Sequence, residues 1–473
     1  MKVFEKRALT KKSENISEWY HDIVVRAGLA EYSDMKGMMI IKPTGYALWE
    51  SVQKTLDGWF KEDGVQNVYF PLFIPMSLLQ KEKEHLEGFS PELAVVTHGG
   101  GEELAEPLAI RPTSETIMYR TFSNWIQSYR DLPLKINQWC NVVRWEKRTY
   151  PFLRTTEFLW QEGHTAHKDE QDAEEMALKA LEWYRKFYRE YFAIDPYVGL
   201  KSDSERFAGA KRTYAIEIVS PDGKSLQAAT SHNLSDNFSK VFEVQYLDEK
   251  GQKNFVHQTS WGLSTRAIGA LILTHGDDSG MVMPPKVAPI QAVILSIQEA
   301  TNQYALELKN ELSGLRVQVD TDQNHSLGYR INEWELKGVP LRIEIGPKEI
   351  EKNMVTLVRR DTFEKKTVDR GDILSEVKDM LDQIQSDLLS RSEKIKSDLT
   401  IDIEKPDQLK EIKDKVFIRV FWCEDPACEA KVKEETKMTS RVLELEQIKQ
   451  SHESSCVFCG KKAHRKWLFA QSY

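Results

Sequence analysis

The residues best placed to do chemistry are Arg144-Trp-Glu146, set at the end of the apolar run Ile136–Val143. The basic loop Lys147–Tyr150 follows them, and then Phe152-Leu-Arg-Thr-Thr-Glu-Phe158. Side chains two apart in a strand point the same way, so Arg144 and Glu146 are expected on one face. A return strand then brings Arg154 and Phe158 alongside. A guanidinium aimed at phosphate and a ring for a purine to stack on are what nucleotide binding requires. Taken alone, Arg-x-Glu is also a common surface ion pair. A second segment, Trp261-Gly-Leu-Ser-Thr-Arg266, runs into the apolar stretch Ala267–His275. It reads as a strand, a turn containing glycine, and a helix, with Arg266 at the helix start, where positive charge favours phosphate.

The cysteines carry a different chemistry. Four of the five lie near the C-terminus, as Cys423-x4-Cys428 and Cys456-x2-Cys459, a spacing that reads as a closed tetrahedral zinc site of four thiolates. Such a site is structural, because no ligand position is left open for water. Cys140 stands alone and is expected to be a buried small apolar side chain.

The elements that must position these groups follow from periodicity. Gly45–Lys61 reads as an amphipathic helix with Leu48, Val52, Leu56 and Phe60 on one face, leading into a strand, Val65–Ile74, interrupted by Pro71. Pro112 to Tyr129 reads as a helix with Thr113 and Ser114 available for capping, and Glu170–Phe192 as a third. Helices and strands are grouped rather than alternating, which predicts an α+β fold. Met283–Pro289 reads as a linker. Beyond it, strand and helix alternate (290–297, 298–312, 316–320, 327–336, 341–345, 354–359, then a long helix from Asp372), predicting a separate α/β domain. The expected units are residues 1–285, 286–400 and 401–473, in keeping with a chain of 473 residues, too long for one core.

Composition excludes some partners. The net charge of −8 argues against a protein that coats DNA or RNA nonspecifically, while leaving room for a specific RNA held by a local basic surface. Apolar stretches such as Ala288–Ile297 are too short to span a bilayer. The N-terminal basic residues Lys2, Lys6, Arg7, Lys11 and Lys12 have no apolar run behind them, so no secretory signal is expected and the cytoplasm is the predicted location.

Helix–strand–Pro, then Arg-x-Glu with its hairpin, then Gly-x3-Arg before a helix resembles the order of the three motifs of class II aminoacyl-tRNA synthetases, over nearly the whole chain. Arg111-Pro-Thr-Ser-Glu115, Asn137–Arg144, Phe158–His164, Thr230-Ser-His232, Asn237-Phe-Ser239 and Ser260-Trp-Gly262 resemble segments of prolyl-tRNA synthetases. The resemblance implies a class II antiparallel sheet with helices, then an α/β anticodon-binding domain and a small zinc-binding α/β domain. It implies activation of L-proline with ATP and transfer to tRNA(Pro), with Arg144 and Arg266 catalytic. Thr113, Glu115, Arg144 and His232 would hold proline, and Phe158 and Trp160 would line its ring pocket. Arg144, Glu146, Arg154, Thr155, Gln227, Thr230, Ser264 and Arg266 would bind ATP, with Gln227 near Mg²⁺. It also implies a homodimer, RNA-facing positions at Leu341–Lys348 and Arg359-Arg360, and a terminal Tyr473 packed near the active site. Only residues 165–260 separate His164 from Trp261, so the resemblance is to the archaeal/eukaryotic-like type without the bacterial editing insertion. A threonyl or seryl enzyme, and a synthetase-like RNA-binding protein without catalysis, are the competing readings. Against the first, a threonyl enzyme needs pocket zinc ligands, and only Cys140 is there. Lys437–Arg441 is expected on a helix surface, His275–Asp278 in a turn, and His164, His167 and His257 as structural imidazoles, His164 being excepted only through the segment it shares with the family.

Overall fold

A strand shows its side chains alternately to the two faces of a sheet, and here one face is apolar and helix-covered while the other carries polar groups. The computed structural model describes residues 9–85, 93–412 and 414–473; Lys2, Lys6 and Arg7 lie outside them. Its central sheet contains β1 (Gln66–Asn67), β2 (Leu134–Val143), β3 (Glu157–His167) and β4 (Tyr197–Leu200). It continues with β5 (Arg212–Val219), β6 (Ser225–Ser235), β7 (His257–Ser264) and β8 (Leu443–Glu444). The spatial order is β8-β4-β5-β6-β7-β3-β2-β1, antiparallel throughout except between β1 and β2.

Three helices pack in the core on the apolar face, α1 (Pro43–Glu62), α3 (Glu170–Glu190) and α4 (Arg266–His275), while α2 (Glu115–Trp125) packs in a second cluster on the other. α3 begins where the Asp169 carboxylate accepts from the Asp172 N–H at 2.9 Å, a cap worth about 1 kcal/mol. It buries Ala173, Ala177, Ala180, Leu181, Tyr184 and Tyr188 at helical spacing. With Val52, Leu56 and Phe60 of α1 and Ile216, Trp261 and Leu263 of the sheet, most of these form the main core. Tyr188 donates to the Ala228 carbonyl at 3.1 Å and Ser231 to Ala177 at 2.7 Å, which fixes α3 over β6.

Two glycines leave room for indole rings to lie over neighbouring strands. A Cβ on Gly163 of β3 would lie 2.0 Å from the Trp261 ring of β7, and one on Gly262 would lie 2.5 Å from the ring of Trp160. Gly262 is therefore a strand residue with an indole laid over it, not the turn residue expected; Thr265 alone separates β7 from α4. The predicted strand 65–74 is two short pieces, Gln66–Asn67 and Phe73–Pro75, split where Pro71 offers no N–H to a ladder. The helix expected from Pro112 starts at Glu115, and Ser114 makes no capping hydrogen bond because its hydroxyl is spent on Glu162.

After the linker, a five-stranded sheet runs in the order Val317–Asp320, Ala292–Ser296, Leu341–Ile345, Met354–Arg359, Lys365–Asp369, the first three parallel. Its last strand was not expected. Arg342, Arg359 and Arg360 are not RNA-facing: they are buried and committed to internal ion pairs. Arg342 meets Glu335 at 2.8 Å, Arg359 meets Asp387 at 2.6 Å, and Arg360 meets Asp277, in the turn after α4, at 2.6 Å. Lys348 alone of these cations is exposed. The last unit pairs Thr400–Ile403, Phe417–Trp422, Arg465–Ala470 and Thr439–Ser440, and carries α5 (Pro426–Thr436). Lys437 ends α5 in the left-handed conformation and Ser440 and Arg441 are buried, so this segment is not a helix surface. Chain beyond it becomes β8, completing the central sheet. No helix among the described residues is long and apolar enough to cross a membrane.

Gly163→Ala should destabilise by at least about 1–3 kcal/mol, the usual range for overpacking. Gly58→Ala, in α1 with open space around it, should stabilise by about 0.5–1 kcal/mol. Urea unfolding of both variants checks this; a Gly163→Ala midpoint equal to the parent's would refute the packing argument.

Candidate active site

The polar face of the sheet opens into a cavity of about 260 Å³. Phe158, Trp160, Glu162 and His164 alternate along β3 into it, and Ser260, Gly262 and Ser264 do so along β7. On β6, Thr230 and His232 share that face, but Gln227 is three residues from Thr230 and should point away. A bulge in the β5–β6 ladder, where Ile216 pairs with Ala229 but Glu217 with Gln227, inserts Ala228 and turns Gln227 back into the cavity. Arg144 follows β2 directly, its N–H bonded to the Thr156 carbonyl at 2.9 Å, and Arg266 opens α4.

Two guanidiniums meet here. Arg144 donates from Nε to the Pro112 carbonyl at 3.0 Å and lies 5.6 and 5.5 Å from the ring centres of Phe158 and Trp160. Arg266 donates to the carbonyls of Leu153 and Gln227 at 2.8 and 3.2 Å. Burial, aggravated by the charges of Arg144 and Arg154, pulls Arg266 down to about 10. An anion between the two arginines relieves that repulsion. At the other end, Glu115 sits in the first turn of α2 and accepts from the Thr113 hydroxyl. Glu162 accepts from Ser114 at 2.5 Å, Gln138 at 3.1 Å and His164 at 3.2 Å. Burial alone would raise its pKa, but these bonds hold it below the ordinary carboxylate range. His232 is 3.0 Å from the Thr213 hydroxyl and packs on Phe207 at 4.7 Å.

The four C-terminal cysteines converge. Their sulfurs all lie within 4.8 Å of one another, with Cys423–Cys459 at 3.6 Å and Cys428–Cys456 at 3.9 Å. Four sulfurs held about 2.3 Å from a tetrahedral ion stand about 3.8 Å apart, so the donor set fits a metal.

Comparison with known proteins supplies the rest. Residues 97–275 match the tRNA synthetase class II core domain (G, H, P, S and T) and residues 291–380 the anticodon binding domain. Residues 407–473 match the prolyl-tRNA synthetase C-terminal domain. A proline--tRNA ligase 2 of Bacillus cereus is 49% identical over 99% of both chains. The proline--tRNA ligase of Natranaerobius thermophilus is 48% identical over 99% of this chain and 98% of its own. The chain belongs to the prolyl-tRNA synthetase family. A crystal structure of the prolyl-tRNA synthetase from Cryptosporidium parvum, complexed with halofuginone and AMPPNP, superposes with a TM-score of 0.94 at 43% identity, covering 98% and 96% of the two chains. As in the expected synthetase type, no separate domain interrupts the sheet between His167 and His257. That span folds into α3, β4–β6, the helix Asn237–Phe242 and a small hairpin.

Of the residues expected to serve a prolyl-tRNA synthetase, the cavity gathers Thr113, Glu115, Arg144, Phe158, Trp160, Gln227, Thr230, His232, Ser264 and Arg266. Glu146, Arg154 and Thr155 do not line it. Arg154 pairs with Glu146 at 3.7 Å in the loop outside, and Thr155 is buried, its hydroxyl donating to the Glu157 carbonyl at 2.8 Å. Cys140 is not packed in apolar surroundings; its thiol lies 3.6 Å from Glu162, and burial and that carboxylate push it far up. Glu162 and Ser260 were not anticipated, although strand alternation from Trp160 and Ser264 pointed to both. Glu205 and Phe207 come from a loop without periodicity and left no signal. Tyr473 packs on the turn between β5 and β6, its N–H donating to the Ser225 carbonyl at 3.1 Å and Lys224 lying 4.4 Å from its ring centre.

Two histidines tie stability to pH. Burial, with His164 nearby, lowers His232 to about 3, and burial beside Arg391 lowers His275 to about 3. Unfolding lets each take up a proton below about pH 6.5, so the unfolded state binds more protons and stability falls as pH falls from there toward 3. The urea midpoint should drop between pH 7 and 5, each histidine contributing up to about 1.4 kcal/mol per pH unit. A flat profile, or one unchanged in His275→Gln, would contradict this.

Proposed function

We propose that the chain activates L-proline with ATP, giving prolyl-adenylate and pyrophosphate, and then transfers proline to the 3′ end of tRNA(Pro). The observation that carries this reading is the pairing of Arg144 and Arg266 in one buried cavity whose far end presents Glu115, two aromatic rings and a neutral imidazole. Glu115, backed by Thr113, receives the proline ammonium group, and Phe158, Trp160 and His232 form the wall for the ring. Arg144 stands between the two substrates, orienting the carboxylate against the α-phosphate. Arg266, Gln227, Thr230 and Ser264 take the nucleotide, and Glu146, Arg154 and Thr155 serve it from the loop after β2.

A carboxylate is already a nucleophile, so no general base is needed; the residues position the two substrates in line and neutralise the charge that builds on the phosphates. Mg²⁺, when bound with ATP, supplies further neutralisation of the leaving pyrophosphate, and Gln227 is the residue placed to meet it. Zinc is the ion that four thiolates at these separations suit, held by Cys423, Cys428, Cys456 and Cys459 in a structural role. The three proposed units divide the work: 1–285 catalysis, 286–400 the anticodon, and 401–473 the metal. We also propose a homodimer in the cytoplasm. Tyr69, 73% exposed, with Phe73, Val95 and Trp125 forms an uncovered apolar surface at the helix–strand–Pro motif, suited to a second copy.

Amino-acid-dependent ATP–pyrophosphate exchange, run with proline, alanine, cysteine, threonine and serine, tests the reading. Proline should drive exchange best, and Arg266→Ala should lower kcat by about 10²–10³. Exchange led by another amino acid would keep the fold and overturn the pocket assignment. The same preparation should sediment as a dimer with one zinc per chain; a monomer or a metal-free protein would refute those parts.

A further inference from the structure

The loop between β4 and β5 supplies two walls of the cavity, Glu205 and Phe207. Its C-terminal half is held locally, Phe207 N donating to the Thr213 hydroxyl at 3.0 Å, Ala210 N to the Phe207 carbonyl at 3.0 Å and Arg206 to the Lys211 carbonyl at 3.1 Å. Before it there are a turn from Glu205 N to the Ser202 carbonyl at 3.2 Å, a contact between the Ser202 and Ser204 hydroxyls at 3.0 Å, and a surface pair, Arg206–Asp203, at 3.3 Å. Ser202, Ser204 and Glu205 are anchored from the C-terminal unit. The buried Glu429 carboxylate, next to Cys428 on α5, accepts from the Ser204 hydroxyl, from the Ser202 hydroxyl at 3.3 Å and from Ser440 N at 2.8 Å. The Ser440 and Ser202 hydroxyls are themselves 2.8 Å apart. Arg441 donates to Glu205 at 3.1 Å and lies 4.0 Å from Glu217, which Lys201 meets at 3.0 Å. Charges this deeply buried are held in one geometry, because any departure leaves one unpaired in a low-dielectric interior.

We propose that Glu429 and Arg441 are positioning residues for amino-acid binding: from the C-terminal unit they fix the 202–207 loop so that Phe207 packs on His232 and Glu205 faces the cavity. The inference rests on the reading of the cavity as the proline and ATP site. Within the loop, Phe207 acts at one end of the cavity, on His232. His232 is five residues along β6 from Gln227, whose carbonyl takes the Arg266 hydrogen bond; at about 3.3 Å per residue this is on the order of 15 Å. Loosening the loop should therefore weaken the hold on proline and leave ATP binding alone.

Full-length Glu429→Gln and Ser204→Ala are compared with the parent in proline-dependent ATP–pyrophosphate exchange, with metal content and thermal midpoint measured on the same samples. Glu434→Gln, on the exposed face of α5, is the control. Ser204 is at an exposed loop position, so Ser204→Ala retains the fold even where Glu429→Gln does not. Both test variants should raise KM for proline five- to tenfold and keep KM for ATP within twofold, with metal content and melting unchanged and the control like the parent. Proline and ATP KM values both at the parent's level in Ser204→Ala overturn the proposal. So does a joint shift of both KM values with the melting temperature, the mark of a general structural defect. A parent that shows no proline-dependent exchange overturns the reading of the cavity itself, an outcome distinct from either.

Discussion

Arg144 and Arg266 repel each other across a buried cavity, and burial makes that repulsion costlier than it would be in water. The surrounding structure exists to hold them there. Backbone carbonyls of Pro112, Leu153 and Gln227 take their hydrogen bonds, and the rings of Phe158 and Trp160 flank Arg144. Carbonyls and aromatic faces orient a guanidinium without cancelling its charge, as a carboxylate salt bridge would. On the proposed reading the charge is left for phosphate, whose arrival would turn a destabilising pair into a clamp.

Holding such groups requires a stiff sheet. Across β3 and β7, Gly163 and Gly262 leave room for the indoles of Trp261 and Trp160, one pair on each face. α3 and α1 cover the apolar side, and the C-terminal unit covers part of the other: Phe417 and Leu468 pack with Ala215 of β5, and Leu443–Glu444 adds the edge strand. Arg360 joins the anticodon-binding sheet to Asp277 just past α4, the helix that Arg266 opens. The three matched regions of this prolyl-tRNA synthetase chain are thus fastened to one catalytic sheet.

How far the sequence disclosed this follows the range of each interaction. Arg144 and Phe158 were legible from the strand–loop–strand pattern around them, although the strand ends at Val143 and Glu146 does not share the cavity; Trp160 was placed by family resemblance. The metal site was legible because four ligands in two short segments are a pattern in themselves. Gln227 was placed by family resemblance only; its orientation depends on a bulge that no residue type announces. Arg342, Arg359 and Arg360 were expected to face RNA from family resemblance, yet each is buried against carboxylates, of Glu335, Asp387 and Asp277. Glu205 and β8 were invisible because the partners that place them lie more than 200 residues away.

The central claim is that one cavity holds amino acid and nucleotide on either side of Arg144, with Arg266 closing over the phosphate. A crystal structure with a non-hydrolysable prolyl-sulfamoyl adenosine tests it most directly. The account predicts the sulfamoyl group between the two guanidiniums, the pyrrolidine ring against Phe158 and Trp160, and its nitrogen at Glu115. A sulfamoyl group contacting neither arginine, or a pyrrolidine ring outside the cavity, would contradict it.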